Sequence, residues 1–141
     1  MAQADIEKKM EVSKEKLFEV VTRYEDYPQF VDGCKKVEVQ RKGPGKARVT
    51  YHVSLIKDIS YTLDHEEDLE TGSIKWSLVE SDFLKKNTGS WKIGASGEME
   101  SDVRYEIDIE FGIPVPGLIL RKLVKGSLPA MIKNFEKRAR S

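Results

Sequence analysis

Few residues in this chain are able to do chemistry. In 141 residues there is one cysteine, Cys34, and two histidines, His52 and His65. One thiol and two imidazoles cannot furnish a cysteine-based metal site, and a lone cysteine excludes an internal disulfide. No GxSxG or HExxH pattern occurs, and Gly43-Pro44-Gly45-Lys46 is only a fragment of a phosphate loop that reads as a hairpin turn. No catalytic residue, metal or cofactor is assigned. Tyrosine is the more informative type. Tyr51, Tyr61 and Tyr105 share the apolar parity of their segments, as do Trp76, Trp91 and Phe111. Phenols on an inner face must find hydrogen-bond partners once buried. Such a face is either plain core or the wall of a wet or ligand-filled cavity, where hydroxyls could orient a carbonyl-bearing head group. His65 lies on the face of Tyr61 and Leu63, so it is either a hydrogen-bonded inner residue or a group that anchors a ligand or moves a proton. His52, opposite in parity to Tyr51, points to solvent.

The elements that must position these side chains follow from periodicity. Residues 5–12 place Ile6, Met10 and Val12 on one face, which predicts a strand. Ser13 then caps a helix to about residue 24, and Asp26 caps a second short helix with Pro28 in its first turn. Six period-2 segments follow over 34–41, 47–55, 59–69, 73–80, 88–96 and 102–111. The last, DVRYEIDIEF, alternates five apolar with five charged residues, as in an antiparallel sheet with one face on a core and one in water. From about residue 115 to 140 the period lengthens. Leu120, Val124, Leu128, Met131, Phe135 and Ala139 step by four or three, which predicts an amphipathic helix interrupted near Gly126 and Pro129. The order is β-α-α-β-β-β-β-β-β-α, an α+β chain whose curved antiparallel sheet of about seven strands wraps the long last helix. Layer geometry places a pocket between sheet and helix. Its expected wall is Tyr51, Tyr61, His65, Trp76, Trp91, Tyr105 and Phe111 from the strands, with Leu120, Val124 and Met131 from the helix.

Length, charge and hydropathy bound the class. The chain suits a single domain over residues 1–141, with no repeat or linker. Lys plus Arg and Asp plus Glu both number 24, so no global field draws it to nucleic acid. The charged N-terminus lacks the apolar run of a signal peptide, and with one free cysteine the expectation is a cytoplasmic protein.

Tyr27-Pro28-Gln29-Phe30 with Gly33-Cys34 resembles the coenzyme-Q-binding START-like family and the related ribosome association toxin family. So do Phe83, Lys85-Lys86, Gly89-Ser90-Trp91-Lys92-Ile93, and the ending with Phe135 and Arg138-Ala139. The chain departs from that pattern at Ser81-Asp82 and Pro129. The wider resemblance is to the helix-grip fold of the START-like superfamily, which includes polyketide cyclases and birch-pollen-allergen-like proteins. It implies a non-catalytic carrier of a hydrophobic small molecule, with an isoprenoid quinone or related lipid as first candidate. An aromatase/cyclase-like enzyme for polyketide-like compounds and a ribosome- or protein-binding regulator are the alternatives. A monomer or weak dimer is expected.

One apolar stretch, FGIPVPGLIL at 111–120, is uncharged in a chain that is 34% charged. In an up-and-down sheet alternate connections emerge at one end. Those at 43–46, 70–73 and 97–101 are polar, whereas those at 55–58, 83–86 and 112–115 carry large apolar residues followed by cations. A rim of Ile56, Phe83, Leu84, Ile113 and Val115 with Lys57, Lys85, Lys86, Arg121 and Lys122 is therefore expected at the pocket mouth. It would plug the barrel end, touch an anionic membrane transiently, or dock a protein.

Overall fold

The computed structural model describes residues 2–54 and 57–141. Strand β1 (Ala2–Met10) leads to α1 (Lys14–Thr22), a 3₁₀ turn (Tyr24–Gln29), and strands β2 (Cys34–Gly43) and β3 (Lys46–Ser54). Then come β4 (Asp58–Asp68), β5 (Ser73–Ser81), β6 (Leu84–Gly97) and β7 (Glu100–Phe111). A final helical run comprises α2 (Gly117–Lys122), a π turn (Leu123–Ser127) and α3 (Leu128–Arg140). The seven strands form one antiparallel sheet in the order β1-β7-β6-β5-β4-β3-β2. The expected α+β helix-grip architecture is present.

Alternation decides which face is core. Along β7, Val103, Tyr105, Ile107 and Ile109 are buried, while Arg104 lies outside with Asp5 and Glu106 as ion partners. Ser13 caps α1 as expected, its hydroxyl accepting from Lys16 N at 3.2 Å, and Leu17, Phe18 and Val21 go to the core. The second helix differs from expectation. It is a 3₁₀ turn that starts at Tyr24 and holds Pro28 inside it, with no side-chain cap. Asp26 instead lies 3.9 Å from the Arg138 guanidinium.

α3 closes the concave face through Leu128, Ile132, Phe135 and Ala139, all buried. Phe135 meets the rings of Trp91, Tyr27 and Phe30 edge-on at 5.1, 5.2 and 5.0 Å. Glu136 pins the helix to the start of the chain, 2.8 Å from Lys8 Nζ and accepting from the Glu11 backbone at 3.1 Å. The interruption expected at Gly126 and Pro129 is the π turn, which runs without a break into α3 and places Pro129 in the first turn of α3. Leu128, Phe135 and Ala139 keep the expected stripe, and Leu123 and Ile132 are buried as well, whereas Leu120, Val124 and Met131 are only half-buried.

The β5–β6 ladder shapes the interior. It pairs only from Ser73 with Lys92 to Trp76 with Gly89, although both strands continue. In the β4–β5 ladder Val79 has no partner, between the Thr62–Glu80 and Leu63–Leu78 pairs, and this bulge steers β5 away from β6. Gly89 is required where the two strands last meet. A Cβ there would lie 2.3 Å from Trp76 Cζ2 and 2.4 Å from the Glu106 carbonyl oxygen.

Candidate functional site

Between α3 and the concave sheet lies a cavity of about 110 Å³. Period-2 alternation brings Tyr51, Tyr61, His65, Trp76, Trp91 and Tyr105 to its wall, and α3 adds Met131 and Phe135. The rings pack on one another: Tyr51 stacks on Tyr61 at 5.3 Å, and Tyr105 meets Trp91 at 5.0 Å and Trp76 at 5.7 Å.

The polar groups divide into satisfied and unsatisfied. His65 Nε2 is 2.8 Å from the Tyr51 hydroxyl, and the Tyr24 ring lies against the imidazole at 4.4 Å. Behind it the Tyr24 hydroxyl donates to Glu67 Oε2 at 2.5 Å, and Arg41 Nη1 reaches both Glu67 oxygens at 3.0 Å. Arg41 Nη2 also donates to the Thr22 carbonyl at 2.9 Å, so this ion pair is fixed on both sides. Burial holds the His65 pKa down to about 3, and the imidazole is neutral. Its Nδ1 has no partner among the described residues.

Trp76 Nε1 donates to Asn87 Oδ1 at 2.9 Å. Because an indole N–H only donates, the oxygen of Asn87 must face it, which leaves the amide N–H groups over. Asn87 is buried and lines the cavity. Among the described residues neither that amide nitrogen, the hydroxyls of Tyr61 and Tyr105, nor Trp91 Nε1 has a protein partner. Burial pushes the pKa of both tyrosines up, so they keep their protons and can donate. The cavity therefore presents an apolar aromatic wall with several unmet donors. Cys34 also lines it, but burial pushes its thiol up to about 11, which leaves it a poor nucleophile.

A family profile described as polyketide cyclase/dehydrase and lipid transport matches residues 10–136. The chain belongs to the polyketide cyclase/dehydrase and lipid transport family. Among its relatives, the persistence and stress-resistance toxin PasT of Escherichia coli O6:H1 is 29% identical over 91% of this chain and 80% of its own length. The ribosome association toxin RatA of Escherichia coli K12 is 28% identical over the same shares. Among solved structures, the fold is similar to that of the Zhui aromatase/cyclase from a Streptomyces species, with a TM-score of 0.85 at 15% identity over 98% of this chain and 93% of that one. It is equally similar to a START superfamily protein from Mycobacterium smegmatis, with a TM-score of 0.85 at 21% identity over 99% and 98%.

Within this family member not every residue anticipated for the pocket lines it. Phe111 is half-buried and packs edge-on against Phe83 at 5.6 Å, away from the cavity wall. Leu120 and Val124 sit further along the helix, outside the lining. Sequence reasoning missed Asn87, because the inward amide depends on the splayed β5–β6 pair. It also missed Tyr27, which the 3₁₀ turn carries to the cavity and whose hydroxyl donates to the Val21 carbonyl. His52 is on the outer face as expected, between Ser60 Oγ at 2.8 Å and Glu38 at 2.9 Å.

The rim needs larger correction. Connections do meet there: Gly112 N donates to the Phe83 carbonyl at 2.8 Å, and Lys57 Nζ lies 5.3 Å from the Phe83 ring centre. Phe83 and Leu84, however, are buried, because Phe83 packs on Phe111 and β6 already begins at Leu84. Lys86 is on the outer sheet face, paired with Asp108 at 2.8 Å, since strand alternation turns it away from the mouth. Lys57, Lys85, Ile113, Arg121 and Lys122 are exposed, and Val115 is half-buried. Ile56 lies outside the described residues. Leu118 and Ile119 are exposed apolar residues of the same stretch that the sequence did not single out. On the outer sheet face a wider depression of about 830 Å³ runs past Lys9 and Arg104. These are already in ion pairs, with Glu100 and with Asp5.

Proposed function

We propose that the protein is a non-catalytic binder and carrier of a hydrophobic small molecule whose buried end bears acceptor oxygens, most simply a quinone or other carbonyl-bearing isoprenoid. The observation that carries this is the donor surplus of the cavity. Tyr61, Tyr105, Trp91 and Asn87 all present hydrogens without protein acceptors among the described residues. These donors are not sealed in the protein but face the open space of the cavity, where an acceptor oxygen of a ligand can meet them. Stacked rings supply the apolar contact, which dominates affinity in sites of this kind. At about 110 Å³ the cavity suits a head group, well below the roughly 300 Å³ lower bound for drug-sized ligands. The remainder of a long cargo would lie along half-buried Tyr61, Met131, Val124 and Leu120 toward the rim.

An aromatase/cyclase reading has the fold of a solved relative behind it but lacks a base. A general base works best with a pKa near the working pH, and His65 is held to about 3 by burial. Glu67, the nearby carboxylate, is tied up by Arg41 and Tyr24. The ribosome-regulator reading is favoured by the names of PasT and RatA, relatives over most of this chain. In either case we place the protein in the cytoplasm; among the described residues no helix is long and apolar enough to cross a membrane.

Mass spectrometry of the organic extract from protein purified out of its own cells tests the reading. An apolar compound with carbonyl or quinone oxygens should be enriched with the wild type and depleted with Tyr61→Phe/Tyr105→Phe. Equal recovery from both proteins would argue against the cavity as its site.

A further inference from the structure

The stretch from Phe111 to Phe135 contains no acidic residue but four cations, Arg121, Lys122, Lys125 and Lys133. In a chain with as many acids as bases this is a local departure. Its first part is also where the surface turns apolar. Leu118 is 73% exposed, Ile113 49% and Ile119 37%, and α2 buries none of its residues. Arg121, Lys122 and Lys125 follow on the same helical run, exposed and in no ion pair among the described residues. Lys57 and Lys85 join them through the neighbouring connection, where Gly112 N is bonded to the Phe83 carbonyl. The acids beside these connections are Asp82, Glu110 and Asp58, the last already paired with Lys35 at 3.0 Å.

We propose that this patch, Ile113 with α2 and its cations, docks the protein on an anionic lipid bilayer. Aliphatic side chains immediately flanked by unpaired cations match the layering of a headgroup region, where apolar groups sink and Lys or Arg meet phosphate. No aromatic side chain is among the exposed large hydrophobic residues of the patch, so its apolar part is purely aliphatic. The patch also stands at the end toward which the half-buried apolar lane from the cavity runs, so a cargo drawn from a bilayer would enter there. That loading role rests on the carrier reading; the docking itself does not.

Vesicle co-sedimentation decides it, with phosphatidylcholine/phosphatidylglycerol against pure phosphatidylcholine, at low and high salt. The wild type should bind the anionic vesicles and leave the neutral ones. Arg121→Glu/Lys122→Glu and Leu118→Ser/Ile119→Ser should each weaken binding by about tenfold or more. Salt should mimic the first pair and not the second, since screening acts on charge alone. All four side chains are exposed, and unchanged circular dichroism would show the variants folded. Tyr105→Phe should sediment like wild type, because it alters the cavity and not the patch. Absence of wild-type binding to anionic vesicles overturns the proposal, as does binding that survives both double variants. Co-sedimentation with ribosomes in place of vesicles, lost in the same variants, also overturns it and assigns the patch to that assembly. A vesicle-negative protein that still yields a co-purifying quinone would sink the docking surface alone.

Discussion

His65 sits at the wall of the cavity with its Nε2 committed to Tyr51 and its Nδ1 without a described partner. Burial lowers its pKa from 6.5 to about 3, so the folded state refuses a proton that the unfolded chain takes up. Between those values the unfolded state binds more protons, and stability falls as pH falls through the window. Removing the imidazole should flatten that dependence. For His65→Phe we expect the slope of unfolding free energy against pH, between about pH 6 and 4, to be shallower by up to about 1.4 kcal/mol per pH unit. Urea denaturation at several pH values measures it, and the slope rather than the absolute stability is the readout. Parallel slopes for the two proteins would mean that His65 is solvated. The inward direction of His65 was legible from its parity with Tyr61 and Leu63. Its bond to Tyr51 was not, because that pair is set by how far adjacent strands are offset, which no single segment encodes.

The sheet and the closing helix show what local pattern can and cannot carry. All seven strands announced themselves by alternation, and Ser13 by its position before an apolar stripe. Sequence spacing placed Leu128, Phe135 and Ala139 of the last helix correctly, but at the π turn Leu123 is buried rather than Val124, and in α3 Ile132 is buried more deeply than Met131. Phe135, which both readings place at the centre, is 1% exposed; Met131 is half-buried at the cavity. Phe135→Ala should cost about 3–5 kcal/mol, and Met131→Ala clearly less, because a cavity edge loses fewer contacts than a filled core. Similar costs at the two positions would contradict the helix orientation. The bulge at Val79 and the early end of the β5–β6 ladder left no mark in the alternation, so Asn87 escaped notice. Gly89→Ala tests that junction. Its Cβ would press on both the Trp76 ring and the Glu106 carbonyl, so a loss of roughly 1–3 kcal/mol is expected, together with a shifted tryptophan emission. An unperturbed spectrum with full stability would show that the strands pass each other differently.

At the scale of the whole molecule the fold was readable because binary pattern alone requires one helix to cover one curved sheet. The mouth was less so. Its apolar character could be located by the parity of the connections, but which of its residues stay in solvent depends on packing: Phe83 and Leu84 turn inward, whereas Leu118 and Ile119 stay out. The central claim is that the cavity receives an apolar molecule bearing acceptor oxygens, and the chain carries its own reporter. Its two tryptophans, Trp76 and Trp91, both line that cavity. Titration with a short-chain isoprenoid quinone should quench their emission in a saturable manner at micromolar ligand. Tyr61→Phe/Tyr105→Phe should raise the Kd about tenfold or more, as two unmet donors together contribute on the order of 1–3 kcal/mol. Linear, non-saturating quenching in the wild type, or identical curves for the wild type and the double variant, would contradict the account.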